Sequence, residues 1–115
     1  VLDGGRSNAS AAQAQAQADA LRAQLSDLES RIRLDVLTRR LELDSALAGK
    51  AVARRGIEAA SDAVRVARDR YKEGVLSSSE LLDAETRLLR AELDATQNDA
   101  QIQVALANLT RAVGR

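Results

Sequence analysis

Apolar positions along this chain recur at alternating three- and four-residue steps, the spacing that lines one face of an α-helix. Ile57, Ala60, Val64, Ala67 and Tyr71 follow it on one side of a break, and Leu81, Ala84, Leu88, Ala91 and Ala95 on the other. The break, Glu73-Gly74-Val75-Leu76-Ser77-Ser78-Ser79-Glu80, carries residues that end one helix and begin another, in that order. Gly74 supplies the left-handed or open backbone that closes a helix, and the serines offer N-caps for the next. Glu80, three residues after Ser77, completes a capping-box pattern. The spacing predicts a helix over 7–72, a turn over 73–78 and a returning helix over 79–113.

Upstream, Leu21, Leu25, Leu28 and Ile32 continue the heptad. Between Leu34 and Leu47 the seam drifts, with Leu34, Leu37 and Leu41 on a different face from Val36, Leu43 and Leu47, as in a helix with more than one buried side. Residues 9–20 alternate Ala with Gln, nominally a period of two, but both are good helix formers and poor strand residues. That stretch is expected to be helical, the alternative being a frayed low-complexity segment. Gly49 and Gly56 each cost about 1 kcal/mol in a helix interior, yet the pattern resumes at Ile57, so a bend or a close contact is expected there rather than a break. At the start, Asp3-Gly4-Gly5 reads as a backbone break over 1–6, with Ser7 as N-cap; an ordinary flexible start is the other reading.

The returning helix has two apolar seams. Leu81, Ala84, Leu88, Ala91, Ala95, Ile102, Ala105 and Leu109 form one; Leu82, Thr86, Leu89, Leu93, Thr96 and Ala100 form another, roughly 130° away on a helical wheel. A two-helix hairpin needs one seam, so two seams suit a sheet of helices closed into a tube. At about 1.5 Å per residue the first helix is roughly 100 Å long and the second roughly 54 Å, which leaves the first thirty or so residues without a partner in the chain. An amphipathic helix of that length is marginal alone, so a larger assembly is expected. The fold class is all-α, a long antiparallel, coiled-coil-like helical hairpin with unequal arms.

Composition narrows the chemistry. The apolar content is nearly all Ala, Leu and Val, with one Tyr and no Phe, Trp or Met, which disfavours a compact multilayer globule. The absence of Pro and the 30% of charged residues favour long helices. A formal net charge of zero argues against a nucleic-acid partner held by phosphate neutralisation. Lys and Arg are in excess before the turn and Asp and Glu after it, a weak attraction between the arms. Without Cys or His there is no thiol, thiolate or imidazole chemistry, and the carboxylates lie on solvated faces, so no enzyme and no cofactor are expected. Metal binding by Glu80, Asp83 and Glu85 is disfavoured, because hard cations want about six oxygen ligands in a fixed cage. No apolar run approaches the roughly 18 residues of a membrane helix, and the first residues lack the pattern of a signal peptide. The absence of an initiator Met suggests a segment of a longer protein.

The order Arg70-Tyr71-x-x-Gly74-Val75-x-Ser77, followed by Glu80-Leu81-Leu82-Asp83-Ala84-Glu85, resembles the periplasmic tip of the TolC-type outer-membrane efflux family, in its second repeat. The resemblance runs from Leu2-Asp3-Gly4-Gly5 to Leu109-Thr110-Arg111-Ala112-Val113-Gly114. It implies a homotrimer in the outer membrane of a Gram-negative bacterium. This segment would lie in the periplasm as a fragment of an α-helical tunnel. A barrel strand would hand over to helix within 1–6, a periplasmic adaptor would bind the tip, and an inner-membrane pump would engage indirectly. On the family pattern the adaptor-docking tip falls on Tyr71, Glu73, Gly74, Val75 and Ser77, and a cation-selective gate ring on Glu80 and Asp83. Wheel geometry alone leaves Glu85 and Glu92, on the narrower polar arc, as the alternative; the family match decides for Glu80 and Asp83. Leu76 stands where some relatives carry a basic latch, so packing of Tyr71 and Leu76 would close the tip instead. Two other readings are an adaptor hairpin, which would have matched arms and a flanking β domain, and a structural coiled-coil spacer, which has no reason to carry this tip.

Overall fold

The structure, a computed structural model, describes residues 2–114. They form two α-helices, α1 (Leu2–Lys72, 71 residues) and α2 (Ser78–Ala112, 35 residues), with no strand among the described residues. The chain divides into two units, one up to Leu37 and one from Thr38 on.

The second unit is the antiparallel hairpin. Its core is a single seam in which Val64, Ala67, Ile102 and Ala105 are buried, Val64 to 3% exposure. Leu43, Ala46, Gly49, Ala53, Ile57 and Ala60 of α1 and Leu81, Ala84, Leu88, Ala91, Ala95 and Leu109 of α2 extend it, half-buried. All eight residues of the first α2 seam expected from the pattern therefore face α1. Many seam positions are Ala, which lets the helices approach closely but gives each contact little apolar area. Lys50–Asp99 at 3.6 Å and Arg68–Glu85 at 3.2 Å cross between the helices at the surface. Exposed pairs of this kind contribute about 0.2–1 kcal/mol each, so packing sets the fold and the pairs reinforce it.

In the first unit α1 is continuous helix, including the Ala/Gln stretch, where Gln15 Nε2 donates to Asp19 Oδ1 at 3.1 Å. Leu21, Leu25, Leu28 and Ile32 are all exposed.

Three details differ from the sequence pattern. α1 begins at Leu2, ahead of Ser7, and Gly4 and Gly5 lie within it instead of breaking the backbone. Their cost of about 1 kcal/mol each is outweighed locally, because the helix-forming run that follows propagates one hydrogen bond per residue. Val1, the first residue of the expected junction, lies outside the described residues. Leu47 does not share a face with Leu43: it is exposed, and Ala46 and Gly49 take the seam, which advances there by threes. Tyr71, at the end of the α1 pattern, is also exposed, because the helix is already closing at that point.

Candidate functional site

The tip is built by two interlocking end motifs. Gly74 has φ 78°, the left-handed region, and its N–H donates to the Tyr71 carbonyl at 3.0 Å while the Val75 N–H donates to the Arg70 carbonyl at 3.0 Å. This is a Schellman closure of α1 with glycine at the position that disfavours a Cβ. The apolar contact that often accompanies it is missing, since Val75 would meet Arg70, and Val75 stays 71% exposed.

Two residues on, Ser77 is the N-cap of α2, with φ −74° and ψ 158°. Its Oγ accepts from the Glu80 N–H at 3.2 Å, and Glu80 Oε2 accepts from the Ser77 N–H at 2.9 Å. The Ser77 hydroxyl also lies 2.9 Å from the same carboxylate oxygen. The backbone N–H of Ser77 first, and its hydroxyl second, hold the Glu80 carboxyl below its usual range, against a small opposing effect of burial.

Of the expected docking residues, Tyr71, Glu73, Gly74, Val75 and Ser77 are all exposed around the turn, and Leu76 is half-buried beneath them. The two expected gate residues are used differently. Glu80 is turned back onto the cap, whereas Asp83 stands exposed on the next turn. Glu85, of the alternative pair, is half-buried and accepts from Arg68 Nη2 and Nε at 3.2 and 3.3 Å.

Beyond the tip, the hairpin presents a second apolar stripe to solvent. Leu82, Leu89 and Leu93 on α2 are 62%, 58% and 61% exposed, on the face expected to form the second seam. On α1, Leu41, Val52 and Val66 are exposed as well. No helix among the described residues is long and apolar enough to cross a membrane. No group of three or more acidic, His or Cys side chains among them is placed to hold a metal ion.

One feature escaped the sequence reading. Asn98 occupies a seam position between Ala95 and Ile102, and its Nδ2 donates to the Ala46 carbonyl of α1 at 3.1 Å. It lies against Gly49, where a Cβ would come within 2.6 Å of that nitrogen. The signal was the seven-residue gap in the α2 seam between Ala95 and Ile102, where helical spacing leaves Asn98 or Asp99 to fill the middle.

The described residues thus form a hairpin with a capped tip and apolar stripes turned outward. The family model for outer membrane efflux proteins matches residues 1–115, and the chain belongs to that family. No match was found among curated proteins or among solved structures. Membership gives the coarse function, efflux at the outer membrane, and places the chain in a transport family and not an enzyme family.

Proposed function

We propose that this hairpin is part of the periplasmic tunnel of a trimeric outer-membrane channel, with the turn from Glu73 to Ser77 as its gated tip. The observation that carries the reading is the outward leucine stripe, Leu82, Leu89 and Leu93, on a helix whose other seam already packs on α1. A helix with two apolar stripes needs two neighbours, and repeating that relation closes a wall of helices. The exposed leucines of α1 before Leu37 ask for neighbours in the same way. The handover from a barrel strand then belongs at or before Leu2, because Gly4 and Gly5 are helical.

At the tip, Tyr71, Glu73, Gly74, Val75 and Ser77 would meet a periplasmic adaptor, itself coupled to an inner-membrane pump. Exposed Val75 over a glycine turn offers an apolar contact with room for close backbone approach. Glu80 and Asp83 would form the gate ring. Three copies of each in a confined space would attract cations and favour multivalent block. The engagement of Glu85 by Arg68 supports this choice of pair, and the cap hydrogen bonds of Glu80 make Asp83 the more available charge.

The chain has no Cys, so single cysteines report cleanly on burial. Cysteine placed at Leu82, Leu89 or Leu93 should react with a water-soluble thiol reagent in the isolated chain and be protected in the assembled protein. Equal reactivity in both would refute the tunnel reading.

A further inference from the structure

We infer that Asn98 is the pin that sets the stagger of α2 on α1, with Gly49 as its seat. The α2 seam is apolar at Leu81, Ala84, Leu88, Ala91, Ala95, Ile102, Ala105 and Leu109, and Asn98 interrupts it. Its one protein hydrogen bond, to the Ala46 carbonyl, crosses the hairpin between residues 52 apart in sequence. That carbonyl sits inside α1, and a carbonyl has a second lone pair free for such a donor. The other end of the amide is not matched: Oδ1 is buried without a hydrogen-bond partner. An amide half-satisfied in an apolar seam costs stability relative to an apolar residue, so stability does not explain why it is there.

Specificity does. The seam is rich in alanine, with Ala46, Ala53, Ala60 and Ala67 on α1 and Ala84, Ala91, Ala95 and Ala105 on α2. At these positions a slip of three or four residues exchanges one small contact for another, so the resistance to it rests on the larger seam residues, such as Ile57, Leu88 and Ile102, and on Asn98. Asn98 makes such a slip expensive, because every intermediate stagger puts its amide against a Cβ and away from the Ala46 carbonyl. A polar residue at one seam position is an established means of fixing register in helix pairs.

The seat is repeated. Ala46-x-x-Gly49 recurs one heptad later as Ala53-x-x-Gly56, and a Cβ built on Gly56 meets nothing within 4 Å. Gly56 and Ala53 share an open groove with Ala91, the residue one heptad before Asn98. A full heptad slip would carry Asn98 to this second seat, but it would also break the Schellman closure and the capping box of the turn. Any slip must remake those closures, so the pin and the turn act together against partial staggers, and the turn acts alone against the heptad slip.

Spin labels at Ser61→Cys and Glu92→Cys, both exposed positions in a chain without native cysteine, read the stagger as a distance. The 115-residue chain should give one narrow distribution. Asn98→Ala should broaden that distribution toward staggers offset along the axis by about 5 Å, the length of three to four residues, with no fall in melting temperature. Gly49→Ala should do the same by evicting Asn98, and Asn98→Ala/Ala91→Asn should return a single distance by moving the pin to the second seat. A single unchanged distance in both Asn98→Ala and Gly49→Ala overturns the inference. So does a lower melting temperature for Asn98→Ala with the distance unchanged, which would make Asn98 an ordinary stabilising contact.

Discussion

Ser77 and Glu80 cap α2 reciprocally, each side chain hydrogen-bonded to the other's backbone N–H, at 3.2 Å to the serine Oγ and 2.9 Å to the carboxylate. This lowers the Glu80 pKa. A carboxyl lowered on folding adds stability that is present above its unfolded pKa and lost as pH falls through the folded value. In the isolated chain the cap should survive mild acidification and release only below the ordinary glutamate range. Carboxyl-carbon NMR of Glu80 checks this, and a midpoint at or above that of a free glutamate would contradict the cap. Glu80→Gln, which can still accept the Ser77 N–H, should keep the turn and remove the pH dependence. Ser77→Ala should cost about 1 kcal/mol in denaturant unfolding.

Gly74 is needed for its backbone angle. Its φ of 78° strains any L side chain, although a Cβ there would meet nothing within 4 Å. Gly74→Ala should destabilise the hairpin by about 1–2 kcal/mol, and Gly74→Asn by less. A bulky residue such as Trp combines that strain with a block to docking, so the Ala variant serves as its control. If the tip docks as proposed, Gly74→Trp should abolish crosslinking to the adaptor while Gly74→Ala retains it. Crosslinking that survives both would leave Gly74 with a capping role alone.

Leu82, Leu89 and Leu93 should be dispensable to the hairpin by itself. Changing all three to Gln is expected to shift the unfolding free energy of the isolated chain by no more than about 0.5 kcal/mol per site, the usual range for exposed positions. Val64→Ala, which empties a buried seam position, should cost about 1–3 kcal/mol. Equal losses at the two stripes would mean that the leucine face already has a partner within the chain.

Amide exchange should separate the two units. Residues around Val64 and Ile102 have a packed seam and should exchange slowest, whereas residues around Leu21 to Ile32, whose apolar face is exposed, should exchange fast in the isolated chain. Protection of Leu21 to Ile32 equal to that of the seam would remove the case for missing neighbours.

Much of this architecture was legible because helix signals here are local. The step pattern from Leu81 to Leu109 named the buried face of α2, and Gly74, Ser77 and Glu80 each supplied one end-motif function at its required spacing. Less legible was anything decided across the hairpin. Leu47 looks like a seam residue until Gly49 draws the seam onto a three-residue step, and Asn98 looks like a surface amide until the bare Cα of Gly49 faces it. Gly4 and Gly5 misled for a different reason, since glycine weakens a helix without forbidding it. The division of labour between Glu80 and Asp83 depended on which way one carboxylate turns, which residue spacing does not encode.

If a conduit is gated at this tip as proposed, conductance of the reconstituted full-length protein reads it out, with Asp83→Asn and Glu80→Gln alone and together. Glu80→Gln is chosen because it keeps the capping geometry while removing the charge. Cation selectivity and block by multivalent cations should both weaken in Asp83→Asn, with a further loss in the double variant. Unchanged selectivity and unchanged block in the double variant would contradict the proposed gate, leaving Glu80 as a helix cap and Asp83 as a solvated surface charge.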